Sequence, residues 1–265
     1  MSSSSCCLTV RGDSVMDTKT IPAAQDAEWE VRCDLAACYR LYAHFFGIDD
    51  LIYNHLSARV PGKTDQFLIK PYDQMFDEVS ASSLVKVDLD GRVVNGNEVN
   101  PGGFIIHSAV FRAREDVNAV FHIHGKGGAV VSTLREGLLP IHQGALQFYG
   151  SIAYHDFEGF NFELDERDRL ASNLGQNKLM ILRNHGLLAA GHSIRGTFTL
   201  LYDLERACQI QVGAMATGGE LVIPDAAVQE LTANQHIVDG DEIVDDRMWS
   251  SLLRLLGRLG IEFEH

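Results

Sequence analysis

A single α/β sandwich built on one central, mainly antiparallel sheet is the fold class this sequence predicts. Three observations lead there. Stretches of helical and of strand periodicity alternate along the chain. Neighbouring strand signals are joined across tight turns such as Pro61-Gly62 and Asp90-Gly91, which favours antiparallel pairing. No internal repeat and no convincing boundary divides the 265 residues, a length that one large domain can fill.

Taken in order, residues 1–24 open on a serine run, lack periodicity and read as a loosely attached tail. The domain is expected over 25–219. Residues 220–265 form an extension whose helix packs on the domain or on a neighbouring subunit. From Asp26, the apolar positions Val31, Leu35, Cys38, Tyr42 and Phe45 recur at helical spacing until Gly47. The period then changes, and 56–60 and 67–70 read as strands. Residues 84–89 alternate cleanly and turn at Asp90-Gly91 into 92–94. Pro101-Gly102-Gly103 interrupts before a helix over 104–114.

Ala119–Ile123 suits a half-buried strand, and Lys126-Gly127-Gly128 opens a short helix through Leu134. Strands are expected at 139–142 and 151–154. A helix over 163–174 carries acids near its start, where the helix dipole favours them. Two more strands follow at 178–183 and 187–190. Residues 193–216 form a long helix, capped by Ser193 and stopped by Gly218-Gly219. Beyond Leu221 come a linker-like acidic stretch, 239–246, and a last helix over 248–259.

Twenty-two basic against 36 acidic residues give a net charge of −14, with no basic cluster to interrupt it. Nucleic acid and anionic membrane are therefore excluded as partners. The five cysteines, Cys6, Cys7, Cys33, Cys38 and Cys208, are odd in number and unpatterned. With an N-terminal apolar run too short for a secretory signal, they point to a cytoplasmic protein. Cys33 and Cys38 lie on the first helical pattern and are expected as core thiols.

The chemistry is concentrated in Asn118-Ala119-Val120-Phe121-His122-Ile123-His124-Gly125. Alternate strand residues share a face, so His122 and His124 emerge together, about 7 Å apart along the strand. Two imidazoles so placed can hold a metal ion if a third ligand arrives. His185, in Leu182-Arg183-Asn184-His185-Gly186, also ends an apolar run and is the best candidate. The alternative is a pair of ordinary strand histidines.

The order of motifs is familiar. Asn54-His55-Leu56-Ser57, Pro71, Asn100-Pro101-Gly102-Gly103-Phe104 with His107, His122-Ile123-His124 and Asn184-His185-Gly186 together resemble the class II aldolase/adducin family. The detail of Asn-Pro-Gly-Gly-Phe-Ile-Ile-His-Ser-Ala is similar to its adducin-like bacterial branch. The resemblance implies a three-layer α/β/α domain, commonly assembled as a tetramer with the active site between subunits. It implies zinc on His122, His124 and His185, acting as a Lewis acid when a carbon–carbon bond is made or cut. Two parts of the aldolase pattern differ here. The acid/base position is Gly103, and Tyr72-Asp73 and Pro101-Gly102 stand where the phosphate is gripped, although Asn54 matches.

These readings give a metal-dependent lyase, of retro-aldol or decarboxylation type, acting on a small anionic oxo or hydroxy acid. The cofactor is a divalent ion, Zn2+ ahead of Fe2+, Mn2+ or Co2+. The alternatives are a non-haem iron oxygenase on the same three histidines and a non-catalytic, adducin-like assembly protein. Asn54, Ser57 and Gly103 are the substrate-side candidates. His107, His142 and Tyr149 are the catalytic ones, with His107 also suited to orienting a ligand imidazole and Tyr149 to plain packing. His55 is expected at the pocket entrance. Glycine at 103 is expected to leave room for a bulkier substrate or a water.

Overall fold

The structure is a computed structural model that describes residues 23–47, 50–159, 165–236 and 246–265. Residues 1–22 of the expected tail lie outside the described residues, as do most of the acidic stretch, Cys6 and Cys7, while Ala23 and Ala24 already belong to the first helix. Sixteen elements follow one another there: α1 (Ala23–Phe46), β1 (His55–Arg59), β2 (Gln66–Ile69), β3 (Val85–Asp88), β4 (Val93–Asn95), α2 (Pro101–Ala113), β5 (Ala119–Ile123) and α3 (Lys126–Ser132), then α4 (Gln143–Leu146), β6 (Ile152–His155), α5 (Asp165–Leu174), β7 (Leu179–Leu182), β8 (Gly186–Gly191), α6 (Ile194–Ala216), α7 (Ala226–His236) and α8 (Asp246–Arg258).

The strands form one sheet in the order β4-β3-β2-β1-β5-β8-β7-β6. Every pairing is antiparallel except β6 with β7. β5 sits in the middle, between β1 and β8, and this is what buries the His-x-His strand. Its five residues are buried, not half-buried as the alternation suggested, because helices cover both faces. Phe121 and Ile123 point into a core with Leu35, Tyr42, Phe198 and Leu204 of α1 and α6. Val120 points the other way, toward Ile106 and Val110 of α2 and Leu170 and Leu174 of α5. The result is the three-layer α/β/α arrangement.

Polar groups inside this core fix the sheet. The buried Tyr39 hydroxyl donates to the Leu56 carbonyl and accepts from Leu56 N (2.8 Å) and Lys70 N (3.2 Å), tying α1 to β1 and β2. α8 packs on α1 of its own chain, where buried Trp249 donates from Nε1 to Asp34 (3.2 Å).

Residues 139–142 are not a strand. They form a turn into α4, whose N-cap is His142: Nδ1 accepts from Gly144 N at 3.0 Å. Gln211 of α6 takes the backbone bonds a neighbouring strand would make, accepting from Leu139 N (2.7 Å) and donating to Gly137 O (2.9 Å). α7 was not expected at all. Val228 and Leu231 on it are exposed, so no apolar stripe announces it.

Candidate metal centre

β5 delivers His122 at its buried end and His124 just past it, and β8 supplies the first constraint. His122 stands opposite Leu188, and its Nδ1 donates to the Leu187 carbonyl at 2.9 Å. A carbonyl only accepts, so Nδ1 carries the proton and Nε2 is a bare lone pair. The Asp50 carboxylate does the same for His124, accepting from Nδ1. Asn54 Oδ1 accepts from His124 backbone N at 2.5 Å and fixes where the chain leaves the strand. The two Nε2 atoms then face each other at 2.8 Å. A separation of 2.8 Å between two imidazole nitrogens needs a shared cation, either a proton or a metal ion.

His185 closes the set from the β7–β8 turn. Asn184 holds a left-handed backbone, φ 55°, a conformation asparagine tolerates better than most residues. Gly186 must be glycine: a β-carbon there would lie 2.6 Å from Ile123 O and 3.0 Å from His124 Cδ2. The Asn-His-Gly motif is thus the geometry that brings one imidazole over two others. Its ring centroid is 4.7 Å from those of both His122 and His124. One ligand atom from each of the three lies within 4.8 Å of the others. Burial pushes His122 well below the ordinary histidine value, and burial with the nearby His124 and His155 lowers His185 to about 4. Neutral rings with converging lone pairs are what a divalent ion needs, and the residues fit one.

A second histidine chain runs beside the first. His55, on β1 opposite His122, bonds through Nδ1 to His107 Nε2 at 2.8 Å, and His107 Nδ1 bonds to Ser57 Oγ. Burial keeps both rings neutral, pushing His55 well down and His107 to about 3. His55 lines the cavity as expected, but from its buried wall and not from its entrance. It is buried, its ring centroid 5.0 Å from that of His122, and it fills the space beside Gly103. A β-carbon on residue 103 would lie 2.7 Å from His55 Cδ2, so the glycine makes room for this imidazole, not for a bulkier substrate or a water.

A family model, the Class II Aldolase and Adducin N-terminal domain, matches residues 33–212. The chain belongs to the class II aldolase and adducin family. A Caulobacter vibrioides protein named provisionally as a class 2 aldolase is 44% identical over 251 residues, 93% of this chain and 96% of that one. Mouse alpha-adducin is 39% identical over 246 residues, covering 87% of this chain but 33% of the adducin. Among solved structures, an aldolase II superfamily protein from Pseudomonas syringae superposes with a TM-score of 0.86 at 43% identity, covering 93% and 98% of the two chains. L-Fuculose 1-phosphate aldolase from Glaciozyma antarctica gives 0.79 at 28% identity, covering 90% and 94%.

In this member of the class II aldolase and adducin family, the centre opens into a cavity of about 580 Å³. His55, His122, His124, His185 and Gly103 border it, with Ile105, Leu170 and Leu182 as apolar wall. The other expected site residues lie apart from the opening. Asn54 and Ser57 are buried beneath it as supports, and Asn54 Nδ2 has no partner. His107 is one ring further back. His142 caps α4 and Tyr149 is exposed, and neither borders the cavity.

Three residues escaped the sequence reading. Asp50 was invisible because its partner lies 74 positions away. The three N–H donors of buried Lys70 are shared among the carbonyls of Ile52 (2.9 Å), Gln74 (2.8 Å), Pro71 (3.2 Å) and, at the longest reach, Tyr72 (3.5 Å), and so pin the loop that carries Asp50 and Asn54. Glu205 of α6 accepts from Gly127 N and Gly128 N, each at 2.8 Å, capping the helix that leaves His124. The Lys-Gly-Gly signal after the histidines was its one trace.

Proposed function

We propose that this chain is a metal-dependent carbon–carbon lyase, of retro-aldol or decarboxylation type, acting on a small anionic oxo or hydroxy acid. One observation carries the reading: two imidazole Nε2 atoms held face to face at 2.8 Å, with an acceptor behind each ring and the His185 imidazole over both. His122, His124 and His185 hold the ion, with zinc the expected one. When bound, it supplies Lewis acidity toward a substrate carbonyl or carboxylate oxygen.

The protein's own groups do the rest. Three neutral imidazoles contribute no charge, so the ion's charge stays available to an anion. The amino end of α2 borders the cavity at Gly102 and Gly103, where the helix dipole favours a carboxylate. Ile105, Leu170 and Leu182 give one side of the cavity an apolar wall, which lowers the local dielectric and strengthens these electrostatic terms. Asp50 and the Leu187 carbonyl hold the two ligand rings in orientation throughout.

The test is metal analysis of purified protein followed by turnover of oxo and hydroxy acids with zinc added. About one ion per chain and turnover that a chelator abolishes support the lyase. The same three histidines suit Fe2+, and oxygen consumption with iron in place of zinc would favour an oxygenase. The 39% identity to alpha-adducin supports a second reading, a non-catalytic assembly protein. That reading expects no stoichiometric metal. We carry the family's homo-oligomeric, tetrameric assembly with the proposal, and light scattering tests it.

A further inference from the structure

The chain Ser57–His107–His55 ends at the cavity wall, and its direction follows from where the Ser57 proton goes. Ser57 Oγ has one proton, here assigned to the Val120 carbonyl at 3.2 Å, a group that can only accept. Toward His107 it therefore accepts, so His107 Nδ1 is protonated and His107 Nε2 is bare. His107 Nε2 accepts in turn from His55 Nδ1 at 2.8 Å. That leaves the second nitrogen of His55, Nε2, as a lone pair at a residue bordering the cavity. Every member of the chain is buried, so neither ring can turn without stranding a polar atom.

From this geometry we infer that His55 Nε2 is the acceptor for a substrate hydroxyl, held in the accepting tautomer by His107 and Ser57. The inference rests on the metal reading above, because the hydroxyl it takes belongs to a ligand anchored at His122, His124 and His185. It goes further by naming the substrate's second anchoring group. A ligand with a hydroxyl next to its chelating carboxylate satisfies the lone pair of His55. An ether in the same place cannot donate and leaves it unpaired. Glycine at 103 belongs to the same device, since any side chain there would displace the His55 ring.

The experiment uses cobalt-loaded protein, whose visible spectrum reports ligand binding at the ion, with glycolate and methoxyacetate as probes. In the unaltered protein glycolate is expected to bind more tightly than methoxyacetate. In His55→Phe, which keeps a ring of similar size, that ratio should fall by about tenfold, the scale of one hydrogen bond in a dry site, with cobalt content unchanged. An unchanged ratio with cobalt retained overturns the inference and leaves the metal site standing. Loss of cobalt in the variant also overturns it, because His55 would then serve the ion. Unaltered protein that takes up no cobalt sinks the metal reading, and this inference with it. Should the variant fail to fold, the unaltered protein still decides: equal affinity for the two probes would refute a hydroxyl acceptor.

Discussion

His122 Nε2 faces His124 Nε2 at 2.8 Å, and neither ring is free to turn the other nitrogen inward. Leu187 O holds one and Asp50 the other, on opposite sides of the pair. Metal affinity should therefore depend on groups that never touch the ion. Asp50→Ala is expected to weaken zinc binding by about 10- to 100-fold, the usual cost of losing the partner of a ligand imidazole. His185→Ala should remove a ligand outright. A competition titration against a chromophoric chelator measures both. Unchanged affinity in the Asp50 variant would show that His124 does not need its carboxylate.

Buried neutral histidines make the metal-free protein acid-sensitive. His55, His107, His122 and His185 all have folded values below the ordinary 6.5. The unfolded chain therefore binds more protons than the folded one between pH 6.5 and about 4, the value for His185. Stability must fall as pH drops through that window, by about 1.4 kcal/mol per pH unit for each histidine still neutral. Above pH 6.5 these groups contribute no slope. Urea unfolding of metal-free protein across this range should show the fall, shallower by about one proton in His185→Ala. A flat profile would mean the rings are charged at little cost.

Lys70 organises the site from below. Burial draws its ammonium down to about 8, so it remains mostly protonated at neutral pH while serving four carbonyls. Lys70→Met keeps the apolar stem and strands those acceptors. A loss of about 1–3 kcal/mol is expected, the cost of buried groups left unpaired. Faster amide exchange across residues 50–54 should accompany the loss of stability. Destabilisation without loosening of that loop would show that Lys70 supports only the sheet.

Much of this was legible in residues with local signals. The strand period placed His122 and His124 on one face, and the Asn-His-Gly turn pointed to His185. What escaped was non-local. Asp50 precedes the first strand and looks like any loop acid until the fold sets it against His124. His55 was placed at the pocket entrance because its neighbour Asn54 suggested a pocket, whereas β1 lies beside β5 and turns the ring inward. The strand expected at 139–142 failed for a similar reason, since Gln211, 72 positions on from Leu139, satisfies that backbone from α6. The early part of α8 was missed by two residues, while α7 had no apolar stripe to betray it.

Sugar phosphates should be poor substrates. Tyr72 borders the cavity where a phosphate grip is expected, while Asp73 does not. Among the described residues, the carboxylates that border it are Asp50, Asp156 and Glu158, the last ion-paired with Arg169, against one bordering cation, Arg183, so Asp50 and Asp156 disfavour a dianion nearby. L-Fuculose 1-phosphate is expected to be cleaved far more slowly than the best hydroxy acid, as a steady-state comparison of kcat/KM would show. Rapid cleavage would mean that another set of donors holds the phosphate.

Returning a glutamate to position 103 tests what the glycine is for. The backbone there belongs to the first turn of α2, where Asn100 Oδ1 caps Gly103 N at 3.2 Å, so the helix cannot easily give way. The first carbon of any side chain would meet the His55 ring at 2.7 Å, and that ring is backed by His107. Gly103→Ala should therefore already cost about 1–3 kcal/mol by overpacking. Gly103→Glu should cost at least as much and bring a carboxylate beside the three histidines, weakening the hold on an anionic substrate. Turnover should fall in both variants, with metal retained in the alanine one. Thermal unfolding, metal content and turnover measured side by side decide the matter. Higher turnover in the glutamate variant would show that His55 yields easily and that the aldolase chemistry needs only its missing acid.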